Sequence, residues 1–141
     1  MASGSVLTIL LNYRTAAMTL RAAETALAAM EELPGEIVIV DNDSRDGSFE
    51  ALTGAAAARG WIASGRLRVL ASGRNGGFGA GMNFGMAAGL SDGSAPDYYY
   101  LLNSDAFPEA GTIRILRDFL ARRPGAGLAG SYVHGEDGTP H

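Results

Sequence analysis

Four aspartates are placed where they could bind a ligand. Asp41, Asp43 and Asp46 lie within six positions of one another, directly after a run of β-branched residues, and Asp105 follows a later apolar run. Carboxylate oxygens suit a hard divalent cation, and they also accept hydrogen bonds from a base or a sugar. An unpaired carboxylate at the end of a buried strand is costly, so we expect Asp41 to contact a ligand. We expect Asp105 to bind a metal, because the next helix can begin without it. For Asp43 and Asp46, a local role in turns and helix caps is the competing interpretation.

A glycine-rich stretch at residues 73–81 is the second candidate for ligand contact. It does not fit the dinucleotide fingerprint G-x-G-x-x-G, because the third glycine is misplaced and the stretch follows the third predicted strand instead of the first. Two interpretations stay open: close packing of a helix on a sheet, or a helix N terminus that faces an anionic ligand. Asn75 and Asn83 flank the stretch and can donate and accept hydrogen bonds. Arg14 and Arg74 could bind phosphate, although a solvated position is the commoner outcome for an arginine.

Several residue types are absent, and each absence excludes a class of chemistry. The chain has no cysteine and no lysine, so its eleven Lys and Arg positions are all arginine. This excludes disulfides, thiolate zinc sites, thiol nucleophiles, P-loop lysines and Schiff-base lysines. The two histidines, His134 and His141, lie near the end of the chain, which disfavours a Ser-His-Asp triad. A net charge of −4 disfavours a nucleic-acid partner.

The elements that would position these residues alternate regularly between strands and helices. Apolar or β-branched runs predict five strands, at residues 5–12, 37–40, 66–70, 97–103 and 127–133. Helices are predicted to begin near Thr15, Ser48, Met82 and Pro108. Buried strands that alternate with helices are typical of a three-layer α/β/α domain with a mostly parallel central sheet. At 141 residues, of which 47% are apolar, the chain fits one such domain.

This topology would gather the polar segments of the chain. In a parallel sheet the carboxyl ends of the strands lie at the same end of the sheet, and ligands bind beyond that end. Residues 12–15, 41–48, 73–81 and 103–107 all follow predicted strands. We therefore expect these four segments to form one ligand-binding surface.

Four motifs in these segments resemble those of a known family. They are Asn12-Tyr13, VIVDNDSRDGS at residues 38–48, NGGFG at residues 75–79 with Asn83 and Gly85, and LLNSD at residues 101–105. In their order and spacing they resemble the motifs of family 2 glycosyltransferases of the GT-A fold, most closely the rhamnosyltransferase-like branch. The segment VHGEDGT at residues 133–139 resembles the one that follows the family's central strand. The resemblance covers nearly the whole chain.

The resemblance implies that a sugar is transferred, with inversion, from a nucleotide-diphosphate donor to an acceptor hydroxyl with the help of Mg²⁺ or Mn²⁺. It implies a dTDP- or UDP-sugar as donor and a glycan or lipid-linked acceptor, in the synthesis of cell-surface polysaccharide. Asp41 would contact the nucleobase. Asp105 matches the metal-binding aspartate of the D-x-D motif, whose first position is Asn103 here. The matching donor-binding residues are Asn12, Tyr13, Arg14, Asp41, Asp43, Asn75, Gly77, Phe78, Asn83, Asn103 and Ser104.

The catalytic base is expected beyond His141, because the family's base follows the central strand and this chain ends just past it. The resemblance thus implies an incomplete, C-terminally truncated GT-A domain over residues 1–141 that binds the donor, lacks the acceptor-binding half and transfers sugar poorly. A non-catalytic nucleotide-sugar-binding module is the alternative. A sugar nucleotidyltransferase is disfavoured, because residues 12–15 carry neither glycine nor lysine.

The expected location follows from the same sequence. No apolar run approaches the roughly 18–20 residues of a membrane span. The first residues lack the basic region of a signal peptide. We expect a cytoplasmic protein that associates with the inner face of the membrane through its acceptor.

Overall fold

The protein folds as a parallel sheet with helices on both faces. The computed structural model describes residues 4–141. Its elements are β1 (Val6–Asn12), α1 (Ala16–Ala29), β2 (Gly35–Asp41), α2 (Ser48–Ala58), β3 (Leu67–Ala71), α3 (Phe78–Ala88), β4 (Tyr98–Asn103) and α4 (Thr112–Arg122). The strand order is β3-β2-β1-β4, and every pair of neighbours is parallel. The predicted three-layer α/β architecture is therefore confirmed.

The register aligns the last residues of the strands. Asn12 lies opposite Asp41, and Asp41 lies opposite Ala71. On the other side of β1, Leu11 lies opposite Asn103. We call the region beyond these four strand ends the carboxyl end of the sheet. All four polar segments that follow the strands begin there.

Alternating side chains supply a core on each face of the sheet. On one face Leu10, Ile37 and Ile39 belong to a buried cluster with alanines of α1 and with Leu52 of α2. On the other face Leu7, Ile9, Val38 and Val40 pack with Met82 of α3. Because successive strand residues point to opposite faces, the almost continuous apolar runs of β1 and β2 serve both cores.

Helix α3 packs unusually closely on the sheet. A Cβ atom added to Gly81 would lie 2.3 Å from Leu11 Cδ1, and one added to Gly85 would lie 2.6 Å from Ile9 Cγ2. A real side chain at either position would have to push β1 or α3 aside. For Gly81, the last glycine of the stretch at residues 73–81, the structure thus supports the packing interpretation.

The C-terminal end of α3 is held by a partly buried charged pair. Glu36 Oε2 accepts a hydrogen bond from the Ser91 backbone N–H at 2.8 Å, and Arg68 donates to the Gly89 carbonyl. The Arg68 Nε atom lies 3.6 Å from Glu36 Oε1. These contacts fix the end of α3 that lies away from the carboxyl end of the sheet.

Three sequence predictions differ from the structure. No strand forms at residues 127–133, so the predicted fifth strand is wrong; the segment pairs with no neighbouring strand, and Leu128 is 92% exposed. Helix α3 begins at Phe78 instead of Met82, because the Gly81 N–H already donates to the Gly77 carbonyl at 3.1 Å. Helix α4 begins at Thr112, four residues after Pro108.

The helices of residues 4–141 are all too short or too polar to cross a lipid bilayer.

The close contact of α3 gives a test of the fold. Gly85→Ala should lower the free energy of unfolding by about 1–3 kcal/mol, because its methyl group collides with Ile9 and Val40. Gly79→Ala is the matched control in the same helix, since nothing lies within 4 Å of its added Cβ atom. It should raise the free energy of unfolding by about 0.5–1 kcal/mol, the usual gain of alanine over glycine in a helix. Urea titrations of both variants measure the difference, and equal stabilities would contradict the described packing.

Candidate functional site

A buried polar network joins the ends of β1 and β2. Asn12 Nδ2 donates to Asp41 Oδ1 at 2.8 Å, and Ser44 Oγ donates to the same oxygen at 2.5 Å. The Ser44 backbone N–H donates to Asp41 Oδ2 at 3.2 Å. Thr19 of α1 completes the network by donating to Asn12 Oδ1 at 2.7 Å. Asp41 is only 4% exposed, so its carboxylate is satisfied by the protein itself.

The same network fixes the loop after β1. The Arg14 backbone N–H donates to Ser44 Oγ at 3.0 Å, and the Nε–H of the Arg14 side chain donates to the Ser44 carbonyl at 2.9 Å. The guanidinium also lies 5.2 Å from the centre of the Tyr13 ring. Tyr13 is 42% exposed, so its ring is open to a ligand. Arg14, Asp43 and Arg45 adopt the left-handed backbone conformation, which non-glycine residues rarely do outside functional sites and turns.

The other two aspartates after β2 make local contacts. Asp43 Oδ2 accepts a hydrogen bond from Arg45 Nε at 3.0 Å. Asp46 Oδ1 accepts one from the backbone N–H of Ser48 at 3.0 Å, at the start of α2. The hydrogen bonds from Ser48 lower the pKa of the Asp46 carboxyl. The structure thus supports the local interpretation for Asp43 and Asp46, and the donor-binding role of Asp43 stays a prediction.

A second polar network lies on the α3 side of β2. Asn42 Nδ2 donates to Asn75 Oδ1 at 3.0 Å and to the Gly77 carbonyl at 3.3 Å. Its Oδ1 accepts a hydrogen bond from Ser72 Oγ at 2.9 Å. The loop between β3 and α3 is therefore attached to the end of β2 through the Asn42 side chain.

Two open pockets flank the end of β2. One, of about 320 Å³, is lined by Asn42, Ser72, Arg74, Gly76, Ala80, Asn83 and Phe84. The other, of about 450 Å³, includes Asp41, Asp43 and Gly73 among its lining residues. The predicted donor-binding residues are therefore divided: Asn83 lines the pocket on the α3 side, and Asp41 and Asp43 line the pocket on the α2 side. The role of Asp41 in contacting a base stays a prediction.

The remaining predicted residues lie at the same end of the sheet. Phe78, the first residue of α3, is 50% exposed. Asn103 ends β4, and the Ser104 hydroxyl accepts a hydrogen bond from Thr15 Oγ1 at 3.4 Å, which links the loop after β1 to the turn after β4. Asp105 follows in that turn with an exposed side chain. The predicted site residues thus come from the ends of β1, β2 and β4 and from the start of α3.

The turn after β4 carries side chains that could hold a metal. Asn103, Ser104 and Asp105 offer only oxygen ligands, which suit Mg²⁺ or Mn²⁺. Residues 4–141 contain no group of three acidic or histidine side chains that could hold an ion by itself. One exposed carboxylate nevertheless fits Mg²⁺, which usually takes one or two protein carboxylates together with substrate phosphates and water. The residues present therefore fit a cation that is shared with a diphosphate.

Sequence reasoning missed Asn42, Ser44, Ser72 and Thr19 as members of the site. A signal for Asn42 was present, because side chains alternate along a strand and the residue after Asp41 must face the other side. Thr19 could also have been found, since it lies one turn after Thr15 and faces the end of β1. The bonds from Ser44 to Asp41 are local turn contacts. The contacts of Ser44 with Asn12 and Arg14, and of Ser72 with Asn42, join distant segments, and local sequence does not reveal these.

The Asn12 network gives a second stability test. Asn12→Ala should lower the free energy of unfolding by about 1–3 kcal/mol, because the buried Asp41 carboxylate loses a donor. Asn83→Ala is the control, since Asn83 is exposed and its loss should change stability by less than about 0.5 kcal/mol. If Asn12→Ala matched the control in chemical denaturation, the network would not support the fold.

Comparisons with known proteins agree with this architecture. The model of the family "Glycosyl transferase family 2" matches residues 5–141. No curated protein matches the chain. Among solved structures, the fold is similar to that of the mannosyltransferase PcManGT from Pyrobaculum calidifontis in complex with GDP-Man and Mn²⁺, with a TM-score of 0.71 at 19% identity. That alignment covers 92% of this chain and 35% of the other.

A second similar fold is that of S. aureus TarS 1–349. It gives a TM-score of 0.61 at 17% identity, over 91% of this chain and 39% of that one. Its complex with UDP-GlcNAc gives a TM-score of 0.63 at 17% identity, over 92% of this chain and 40% of that one. The chain thus spans about 35–40% of the length of these structures.

The predicted family and fold are confirmed, whereas the rhamnosyltransferase-like branch stays a prediction. The family match extends over almost the whole chain, and the parallel sheet with its helices matches the GT-A structures above. The chain therefore belongs to glycosyl transferase family 2 and has a GT-A fold.

Proposed function

We propose that this chain is the donor-binding part of an inverting glycosyltransferase that transfers a sugar from a nucleoside diphosphate to an acceptor hydroxyl. One observation carries the proposal: the ends of β1, β2 and β4 and the start of α3 converge on one polar surface, which combines open pockets with the exposed Asp105 carboxylate. A dTDP- or UDP-sugar is the proposed donor. The complexes of similar folds with GDP-Man and with UDP-GlcNAc support a nucleotide-sugar ligand in general.

The residues on this surface suit the parts of such a donor. The exposed rings of Tyr13 and Phe78 offer apolar faces on which a base can stack. Asn75 and Asn83 offer amides that bind sugar hydroxyls or phosphate oxygens. Asp41 accepts hydrogen bonds from Asn12 and Ser44 and thereby fixes the backbone at both positions, next to the proposed nucleotide site.

Asp105, with Asn103 and Ser104, is the proposed site for Mg²⁺ or Mn²⁺. When bound, the cation supplies positive charge that stabilises the diphosphate as it leaves. Asp105 would contribute by holding the cation, and through it the diphosphate, at a fixed place relative to β4. The acceptor hydroxyl must also lose a proton to a base, and we propose that this base lies outside residues 1–141.

We further propose that residues 1–141 form a single domain that is part of a longer catalytic unit. The chain spans only about 35–40% of the length of the similar structures, which supports this proposal. We also propose a glycan or lipid-linked acceptor and membership of the rhamnosyltransferase-like branch, which the sequence motifs support. A cytoplasmic location at the inner face of the membrane is proposed together with that acceptor.

Nucleotide binding is the first test. UDP, dTDP and GDP should each be added with and without Mn²⁺, and the melting temperature measured. At about 100 times its dissociation constant, a bound nucleotide should stabilise the fold by roughly 2.7 kcal/mol, which corresponds to a shift of roughly 5–15 °C. We expect one nucleotide to raise the melting temperature only in the presence of Mn²⁺. This increase should be lost in Asp105→Asn, which keeps the shape of the side chain and removes its negative charge.

Glu24→Gln is the matched control, because it removes a similar exposed carboxylate on α1. Its nucleotide shift should equal that of the unchanged chain. A folded chain that no nucleotide stabilises would overturn the proposed donor site. Metal-dependent binding by a full-length protein that transfers no sugar would favour the non-catalytic module instead.

A further inference from the structure

Asn42 occupies an unusual position between two loops. It follows β2 directly, is 2% exposed and lines the pocket on the α3 side. Its backbone N–H donates to the Asn12 carbonyl at 2.9 Å, which extends the pairing of β1 with β2 by one bond. The residue therefore belongs to the rigid sheet although its side chain faces the glycine-rich loop.

The hydrogen bonds of the Asn42 side chain have a fixed direction. Both of its donor positions are used, one by Asn75 Oδ1 and one by the Gly77 carbonyl. Asn75 Oδ1 also accepts from the Gly77 backbone N–H at 3.0 Å, so it must be an acceptor in both bonds. Asn42 consequently has no N–H left for a ligand, and only one lone pair of its carbonyl oxygen is free beside the bond from Ser72.

These bonds determine where α3 begins. Gly77 is the N-cap residue of α3, with φ 94° and no side-chain cap, and its carbonyl accepts the Gly81 N–H at 3.1 Å. Residues 73–79 are all exposed, so little packing holds them. The Asn42 amide therefore holds a loop that the core does not, at the point where the helix N terminus meets the pocket.

We propose that Asn42 is a positioning residue: by donating to Asn75 and Gly77, its amide holds the glycine-rich loop and the first turn of α3 in the arrangement that receives the donor nucleotide. This inference rests on the proposed function for the identity of the ligand. The attachment of the loop itself rests only on the contacts above. The two parts can therefore fail separately.

The direction of the bonds provides a sharp pair of variants. Asn42→Asp keeps the size of the side chain but replaces the donor with a carboxylate that faces two oxygen acceptors. In this variant, rotation of the Asn75 amide would let its Nδ2 group donate to the new carboxylate. The Gly77 N–H would then lose its acceptor, Asn75 Oδ1. Asn75→Asp, in contrast, keeps an acceptor for both Asn42 and Gly77.

Hydrogen exchange of the free chain tests the attachment of the loop. The backbone N–H groups of Gly77 and Gly81 should exchange about tenfold faster in Asn42→Asp, which corresponds to the loss of roughly one hydrogen bond. Asn75→Ala should behave in the same way, and because Asn75 is exposed its loss leaves the core intact. Asn75→Asp should keep the slow exchange. Equal exchange in Asn42→Asp, Asn75→Ala and the unchanged chain would overturn the proposal.

Nucleotide affinity tests the role of the loop. For whichever of UDP, dTDP and GDP binds the unchanged chain with Mn²⁺, the dissociation constant of Asn42→Asp should be about tenfold higher at about pH 8. Burial among acceptors raises the pKa of the introduced carboxyl, and its protonated form can donate one bond. The affinity of Asn42→Asp relative to the unchanged chain should therefore recover as the pH is lowered toward about 5.

An affinity ratio independent of pH would contradict positioning, because the hydrogen bond that the protonated carboxyl restores would then have no effect on binding. Glu24→Gln serves as the binding control at both pH values. If no nucleotide binds the unchanged chain, the proposed function fails and the ligand-positioning part fails with it. The exchange of Gly77 and Gly81 would still decide whether Asn42 holds the loop.

Discussion

The buried carboxylate of Asp41 constrains everything at the carboxyl end of the sheet. An ion removed from water costs several kcal/mol unless it is paired and hydrogen-bonded, and Asp41 has no cation among its described hydrogen-bond partners. Asn12 and Ser44 must therefore supply donors, which ties the end of β1 and the loop after β2 to one position. Arg14 joins this arrangement through Ser44. The left-handed backbone at Arg14 and Asp43 persists because these contacts compensate for its cost.

The two faces of the sheet have different parts in the site. On the α1 face, Asn12 and Asp41 form a rigid base whose donors and acceptors are satisfied within the protein. On the α3 face, Gly81 and Gly85 bring the helix against β1, and Asn42 attaches the exposed loop that precedes it. The α1 face fixes the positions of the strand ends, while the α3 face offers exposed amide groups and an exposed aromatic ring. Binding surfaces are commonly built in this way, from loops held by a stable scaffold.

Most of the fold could be predicted because local signals and tertiary structure agree. The apolar run of β1, the β-branched run of β2 and the helix stop at residues 34–35 predicted the strand–helix alternation, and the alternation implied a parallel sheet. The start of α3 could not be predicted, since glycine disfavours helix and only the contact of Gly81 and Gly85 with the sheet explains these residues. The segment at residues 127–133 has strand-like composition, but a strand needs a partner and none pairs with it in the described sheet. In the site, sequence placed the right segments together, and alternation along β2 implied that Asn42 faces away from Asp41. It did not show that Asn42 there contacts Asn75 and Gly77.

Strand β4 has a consequence for how this chain behaves in concentrated solution. Within the sheet that residues 4–141 form, β4 pairs only with β1, and Tyr99 and Leu101 on its α3 face are 44% and 47% exposed. A strand with one open side and apolar side chains is a template for main-chain pairing with a second molecule. The chain has no lysine, the residue that proteins often use to prevent such pairing. Colloidal stability, and with it the useful concentration range of any solution experiment, is therefore sensitive to an outer strand of which only the last residue, Asn103, reaches the proposed ligand surface.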